Sequence, residues 1–337
     1  MAETMKAWQL ASPGIVEQQL HLNPAAARPT TADLQGQDIL VQVSSAAVNP
    51  ADYKVAEMGF VVRAVFSFPK TLGMDLSGVV VGVGPAVTDV LVGDHVVGRL
   101  DPFRPGGALS EQVVLQRAGY AKLARDADLG PAAGLGTAAL TAYQSIQPHV
   151  QAGDRVFING GSGGTGTFGI QIAKLLGCHV TATCSTAKVA LCRQLGADEV
   201  IDYKTTDVLA ALEKAGPVYS VFVDNVGAVA LHAKSAAFLL PTAPFVSVGG
   251  GSLGHVASVA CAMVRPACLG GGRNRFISYL TKNNHEDLDQ LAQWYSKGSL
   301  KSVVDATFAF DEAPAAYSRL KKGSSAGKVI VHVAKNA

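Results

Sequence analysis

Apolar and polar positions fall into two regimes along this chain. Through the first 120 residues they form short runs between glycine-rich turns. Ile39-Leu-Val-Gln-Val-Ser44 alternates, Gly78-Val-Val-Val-Gly-Val-Gly84 reads as a strand with tight bends, and Gly93-Asp-His-Val-Val-Gly98 follows a turn. Gly106-Gly-Ala-Leu-Ser-Glu-Gln-Val-Val-Leu115 closes the region with another strand. Period-two patterning bounded by turn residues predicts β-strands, with the alternating one half-buried. From about residue 125 the pattern changes. Short apolar runs at 155–159, 179–183, 199–202, 219–223 and 243–248 are separated by helical periodicity, notably over 187–195 and 228–239. Alternation of this kind predicts a parallel sheet with helices on both faces. After residue 270 the β character returns with Arg275-Phe-Ile-Ser-Tyr279, a helix over 286–297, Thr307-Phe-Ala-Phe310, a helix over 312–322, and Lys328-Val-Ile-Val-His-Val333. The pattern therefore predicts a doubly wound α/β domain inserted into a β-rich one. The expected boundaries are 1–124, 125–270 and a returning segment 271–337.

The inserted domain carries the strongest chemical signal. An apolar strand runs into Gly161-Ser162-Gly163-Gly164-Thr165-Gly166, and an amphipathic helix follows at once. Gly161, Gly163 and Gly166 have the spacing that lets a chain turn tightly, approach a pyrophosphate and pack helix on strand. The helix N-terminus then offers unpaired N–H groups and partial positive charge to phosphates. This arrangement predicts a bound dinucleotide. An NAD site would place Asp or Glu about 20 residues beyond the first glycine, at the end of the next strand. No acid occurs between Asp154 and Asp198; Ser185 and Lys188 stand there instead, and Tyr203 ends the third strand's run. A hydroxyl and a cation suit a ribose 2′-phosphate, so the expected cofactor is NADPH.

Composition narrows the class. Hydrophobic residues make up 48% of the 337 positions and charged ones only 16%, which calls for much buried surface. The net charge of +2 carries no basic block, so no nucleic-acid partner is expected. Met1–Lys6 shows no signal-peptide pattern, and the uncharged stretch 235–264 is broken by Pro241, Pro244 and Gly249–Gly251, so no membrane span is expected. The five cysteines form no CxxC pair or disulfide framework, which points to a reducing, cytoplasmic setting.

Several stretches together resemble the medium-chain dehydrogenase/reductase superfamily, in its zinc-free quinone oxidoreductase and enone reductase branch. They are Ala47-Val-Asn49-Pro50-Ala-Asp52-Tyr53-Lys54, Gly73-Met-Asp75-Leu-Ser-Gly78, Leu135-Gly-Thr137-Ala-Ala-Leu-Thr141-Ala-Tyr-Gln144, the glycine loop, Leu195–Tyr203 and Asp224-Asn225-Val226-Gly227. The resemblance covers essentially the whole chain. It implies a Rossmann domain plus a GroES-like β-rich catalytic domain, and a homodimer through the strand near Phe276–Tyr279. Zinc alcohol dehydrogenases would show a cysteine near Asn49-Pro50 and Gly-His-Glu where Gly73-Met74-Asp75 stands. This chain has no cysteine before Cys178, so no metal ligand set is expected. Without a Lewis acid to hold an alkoxide, reduction of a quinone or an activated C=C is the chemistry left open.

The resemblance also implies roles. Lys54, Tyr53 and Asn49 become catalytic candidates: Lys54 as a donor to the carbonyl oxygen or the nicotinamide ribose, Tyr53 as a pocket wall or proton relay. Asn49 equally fits a turn, and Asp52 a structural acceptor. Thr137, Thr141, Gly161–Gly166, Ser185, Lys188, Tyr203, Asn225 and Gly249 are the implied cofactor residues. Two departures are Ala139 in place of the usual glycine, and Ala326 in place of a basic residue before the final Gly-Lys. Phe60, Phe66 and Phe68 form an apolar cluster suited to a substrate wall, which core packing explains equally well. The expected activity is transfer of hydride from NADPH to a free quinone or enone. A trans-acting enoyl reductase serving a polyketide synthase, and a nucleotide-binding protein with little catalysis, are the alternatives.

Overall fold

In a computed structural model the described residues are 3–64, 66–249, 253–264 and 271–334, and the side chains of 60, 61, 253–257 and 264 fall outside that description. The chain divides into two compact units, Met1–Leu140 with Asn283–Ala337, and Thr141–Lys282.

The first unit is built on two sheets. Strands β1 (Thr4–Leu10), β2 (Leu20–Ala27) and β4 (Lys70–Thr71) form a three-stranded one in the order β2-β1-β4. The larger sheet runs β15 (Val304–Ala309), β16 (Lys328–His332), β3 (Ile39–Val48), β5 (Asp75–Val83), β6 (His95–Arg99), β8 (Tyr120–Lys122), with β7 (Gln112–Leu115) also on β3. Short helices α1 (Val16–Gln19), α2 (Pro50–Ala56) and α3 (Leu129–Ala132) join α9 (His285–Ser296) and α10 (Ala313–Lys321) around these sheets. β3 departs from the alternation expected of it. Every residue of β3 except the half-buried Gln42 is buried. The reason is its place: β5, β7 and β16 all pair with it, and its Val41, Val43, Ala46 and Val48 sit in one apolar cluster with Tyr317 and Val331.

The second unit is a six-stranded parallel sheet in the order β11 (Glu199–Asp202), β10 (His179–Cys184), β9 (Arg155–Asn159), β12 (Val221–Asp224), β13 (Phe245–Ser247), β14 (Phe276–Ser278). Helices α4 (Leu140–Ile146), which begins at the unit boundary, α5 (Gly164–Leu175), α6 (Val189–Gln194), α7 (Val208–Ala215) and α8 (Leu253–Val264) complete the element order. Two readings of the sequence change here. The periodicity over 228–239 folds as a 3-10 helix, Val229–Ala237. Arg275–Tyr279, assigned to the returning β-rich segment, instead supplies β14, which pairs parallel with β13 at the sheet edge.

Alternation in the parallel strands sorts this sheet into two faces. Val156, Ile158, Val221, Val223 and Val246 pack on one. On the other, Phe157, Phe222, Phe245 and Phe276 are register partners across four strands. Their rings stack at centroid spacings of 4.7, 4.5 and 5.7 Å, with interplanar angles under 20°. Two residues further along each strand, on the same face, lie Asn159, Asp224, Ser247 and Ser278. An aromatic rung is thus followed by a polar one at the carboxyl edge of the sheet.

Phe222 is the hinge of that stack, touching Phe157, Phe238 and Phe245. Phe222→Ala is expected to lower unfolding stability by about 3–5 kcal/mol, because the neighbouring rings cannot collapse into the space. Urea denaturation checks this, and a loss below about 1 kcal/mol would show the ladder contributes little.

Candidate functional site

The glycine turn begins one residue earlier than the motif suggests. Gly160 takes φ +77°, and its N–H donates to Thr183 Oγ1 at 2.9 Å, while Gly161 N–H donates to Thr183 O at 2.8 Å. A Cβ on Gly166 would lie 2.1 Å from Gly160 O, and one on Gly161 would lie 2.8 Å from Ala182 Cβ. Those two positions must be glycine for α5 to pack on β9 and β10. Gly163 differs. Its nearest neighbour would be 3.6 Å away, and it caps α5 with no side-chain hydrogen bond to the first turn. Gly163, Gly164 and Thr165 are half-buried, and Ser162 is buried. The turn is therefore tight on its inner side and open where α5 presents its N–H groups. This geometry fits a pyrophosphate.

The adjacent ends of β10 and β11 gather the other predicted nucleotide residues. Ser185 caps the 3-10 turn Thr186–Lys188, and Cys184 pairs with Asp202. Tyr203 N–H donates to Cys184 O at 3.1 Å; its half-exposed ring carries the Lys204 ammonium 5.5 Å from the centroid. The sequence places no acid on β10, yet the fold delivers one from β11. Asp202 accepts from Lys204 N at 2.9 Å, and its bond from the Thr186 side chain, then that N–H, holds the carboxyl below the usual range. Gly249 and Asn225 meet at the ends of β12 and β13. A Cβ on Gly249 would lie 2.4 Å from Asn225 O, and Asn225 Nδ2 donates to Asn159 O at 3.1 Å. Thr141 bonds the hydroxyl of Thr281, and Gln144 accepts from Tyr279 Oη at 2.7 Å.

In the first unit the Asn49–Lys54 segment forms α2, with Asn49 as cap. Asp52 Oδ2 accepts from Asn49 N at 2.8 Å, the return half of a capping box. The Asn49 side chain is committed at both ends. Its Nδ2 donates to Asp75 Oδ2 at 2.8 Å, and its Oδ1 accepts from Lys328 Nζ at 2.6 Å. Lys328 also lies 3.6 Å from Asp75 Oδ2. The other Asp75 oxygen accepts from Thr137 N at 2.8 Å and Thr137 Oγ1 at 2.6 Å, and Arg99 Nε donates to the same hydroxyl at 3.1 Å. All of these groups except half-buried Thr137 are buried. Burial raises Asp52 to about 7, with Asp75 adding to the rise and Lys328 and Arg99 opposing it. Burial likewise pulls Lys328 below its ordinary value and, with Asp52, holds the Tyr317 phenol well above its own.

The catalytic candidates on α2 differ. Lys54 is half-buried, and desolvation lowers its hold on its proton. Tyr53 packs on the apolar core with Lys321 5.1 Å from its ring centroid, and burial raises its phenol. Phe66 stacks on exposed Phe103 at 5.6 Å, and Phe68 packs against the core with Arg63 5.8 Å from its ring. The Phe60 side chain lies outside the described residues. Among the described residues no three His, Cys, Asp or Glu side chains lie together as a metal site would need. None of their helices is long and apolar enough to cross a membrane.

Sequence reasoning overlooked Asn159, Thr183, Asp224, Arg99 and Lys328. A signal was present for two of them: Asp224 ends the apolar run Val221-Phe-Val, and Lys328 opens the apolar run Val329-Ile-Val. A lone charge at the end of a buried strand needs a partner.

The sequence matches two families, described as alcohol dehydrogenase GroES-like domain over residues 35–125 and zinc-binding dehydrogenase over residues 195–331. Trans-enoyl reductase pgmF of Aspergillus terreus is 42% identical over 344 residues, spanning 98% of this chain and 96% of that protein. The mitochondrial NAD(P)H oxidoreductase RTN4IP1 of Bos taurus is 31% identical, spanning 88% and 82%. Among solved structures, the quinone oxidoreductase of Coxiella burnetii superposes with a TM-score of 0.82 at 30% identity, covering 98% of this chain and all of that one.

The buried ion pair makes a direct prediction. Lys328→Met is expected to cost about 3–5 kcal/mol, because the buried Asp75 carboxyl loses the cation beside it. The Lys328→Met/Asp75→Asn double variant should recover part of that loss in a denaturation cycle. Strict additivity would mean the two groups do not interact.

Proposed function

The chain belongs to the medium-chain dehydrogenase/reductase superfamily, in its zinc-independent quinone oxidoreductase and enoyl reductase branch, and from this we propose that it is an NADPH-dependent reductase of quinones or of the C=C bond of α,β-unsaturated carbonyls. The observation that carries the reading is the glycine turn. It is closed to any side chain at Gly166 and open at Gly163, where α5 presents its N–H groups. When bound, the nicotinamide supplies the hydride. The chain's own residues bind, orient and manage the proton.

Gly163, Gly164 and Thr165 take the pyrophosphate, and Ser185, Lys188 and Tyr203 the adenosine end. The preference for NADPH over NADH rests on Ser185 and Lys188. Asp202, the acid that the fold brings level with Cys184, accepts from Thr186 and Lys204 N in its own turn. Lys54 is the proposed donor to the substrate's carbonyl oxygen. Its burial favours the role, since an ammonium that holds its proton less tightly gives it up more readily to a developing enolate. Tyr53 fits a pocket wall better than a relay, because its phenol is made a weaker acid. Asn49 acts through structure, with both ends of its amide engaged.

A second reading has one observation in its favour, the 42% identity to a trans-enoyl reductase. In that case the substrate is an enoyl thioester on a carrier protein rather than a free enone. Stopped-flow oxidation of NADPH against quinones, alkenals, cyclic enones, free enoyl thioesters and a carrier-bound one separates the two. Turnover confined to the carrier-bound thioester selects the second, and no turnover with any of them defeats both.

Two substitutions test the roles. Lys54→Ala should lower turnover by about 100-fold with little change in NADPH affinity. Unchanged turnover would remove Lys54 from the chemistry. Lys188→Ala should weaken NADPH by about tenfold and leave NADH unaffected, through loss of one charge-assisted contact. Equal weakening of both would show that Lys188 does not read the 2′-phosphate.

A further inference from the structure

One loop of the first unit leaves an aromatic ring in solvent, and nothing in the proposed chemistry accounts for it. Among the described residues Phe103 is the one phenylalanine left exposed, at 68%. It sits in Asp101-Pro102-Phe103-Arg104-Pro105-Gly106, the loop that follows Arg99 at the end of β6. The loop is built to hold that ring outward. Arg104 N–H donates to Asp101 O at 3.1 Å, closing a turn with Pro102 at its second position. Phe103 N–H donates to Asp101 Oδ1 at 2.9 Å, which locks the same turn from its side chain. Lys70, on β4, donates its ammonium protons to the carbonyls of Arg104 and Gly106. Gly107 pins the far end, since a Cβ there would lie 2.3 Å from Thr71 O.

Phe66 backs Phe103. The two rings are parallel to within 2° with centroids 5.6 Å apart, the offset stack that aromatic rings favour. Phe66 is half-buried, so the stack has a supported inner ring and an open outer one. Cations surround it. The Lys70 ammonium lies 5.8 Å from the Phe66 centroid, and the Arg63 guanidinium lies 5.8 Å from that of Phe68. Arg104, next to Phe103 in the chain, is exposed. Residues 59–74 and 101–110 hold these three cations and one acid, Asp101, whose Oδ1 serves the turn. Both loops leave the part of the first unit where the Asp75 network lies. Arg99 is the register partner of Asp75, Leu100 N–H donates to Met74 O at 2.8 Å, and Phe66 follows the helix that carries Lys54.

We propose that Phe103 is a specificity-determining residue: the open face of the Phe66–Phe103 stack receives a planar acceptor, and the cations around it favour one bearing an anionic group. The substrate class is then a quinone, best an anionic one, rather than an open-chain enone. A flat conjugated ring extends the stack over its whole face, whereas a linear enone has little surface to match. A sulfonate or carboxylate on that ring gains charge-assisted contacts from the arginines and lysine. Because the platform is exposed, salt weakens this second contribution and leaves the first.

The inference deepens the reductase reading and rests on it only for turnover, so equilibrium binding tests the platform by itself. In dialysis of naphthoquinone sulfonate against the full chain without NADPH, Phe103→Ala should bind about tenfold more weakly than wild type, and Phe103→Tyr about as well as wild type. Arg104→Gln should weaken the sulfonate about threefold, and unsubstituted naphthoquinone less. In steady-state assays Phe103→Ala should lower the ratio of kcat/KM for naphthoquinone sulfonate to that for a linear alkenal about tenfold, through KM. Equal affinity of wild type and Phe103→Ala, or an unchanged ratio, overturns the proposal. So does a wild-type protein that oxidises NADPH with alkenals or a carrier-bound thioester yet binds no naphthoquinone, in which case the reductase reading stands. If ring-dependent binding is found and no acceptor is turned over, the platform stands and the reductase reading falls.

Discussion

The carboxylate of Asp75 is a negative charge placed where water does not reach, and much of the first unit is arranged around it. A buried carboxylate must be given donors or a cation to replace its hydration shell. Here the donors come from separate elements. Thr137 belongs to the π-helical turn Leu135–Ala139, Asn49 caps α2, and Lys328 opens β16. Arg99, its register partner on β6, reaches the same Thr137 hydroxyl. The backbone conforms as well, since a Cβ on Gly136 would fall 2.6 Å from Asp75 Oδ1. One charge thus ties the helix bearing Lys54 to the turn bearing Thr137. The same network explains how positions 49 and 75 are satisfied without a metal. The cation between them is the protein's own lysine.

The two large sheets meet one physical problem with different partners. Each has a buried acid at the end of a strand, register-paired with a polar residue. Around Asp75 the neighbours include Lys328 and Arg99, both cations. Around Asp224 they are an amide, a hydroxyl and backbone N–H groups above a ladder of phenylalanines, and burial raises the carboxyl's hold on its proton while the donors oppose that rise. The difference is set by what the adjacent strands carry, not by the acid.

Much of this was legible in the sequence. Helix–strand alternation, the glycine turn and the returning β segment are local patterns, and local patterns survive into structure. The misreadings have a common cause in nonlocal packing. Period-two alternation in β3 was erased because three strands pair with it and an apolar cluster covers it. Arg275–Tyr279 has strand composition, yet nothing in five residues says which sheet receives them. The buried networks were invisible for the same reason. Asp75 and Lys328 are 253 positions apart in the chain and 3.6 Å apart in space, and only the register of β16 on β3 and β3 on β5 joins them.

The nucleotide pocket shows where a spacing rule stops being sufficient. The rule looks for an acid at the end of the second strand and finds Ser185, with Lys188 after it. In a parallel sheet, however, strand ends are neighbours, and β11 brings Asp202 level with Cys184. An acid beside the pocket does not favour NADH by its presence alone. Its orientation matters as well, and the Asp202 carboxyl accepts from Lys204 N and Thr186 in its own turn. The proposal for NADPH therefore rests on the hydroxyl of Ser185 and the ammonium of Lys188, two residues that the spacing rule itself points to.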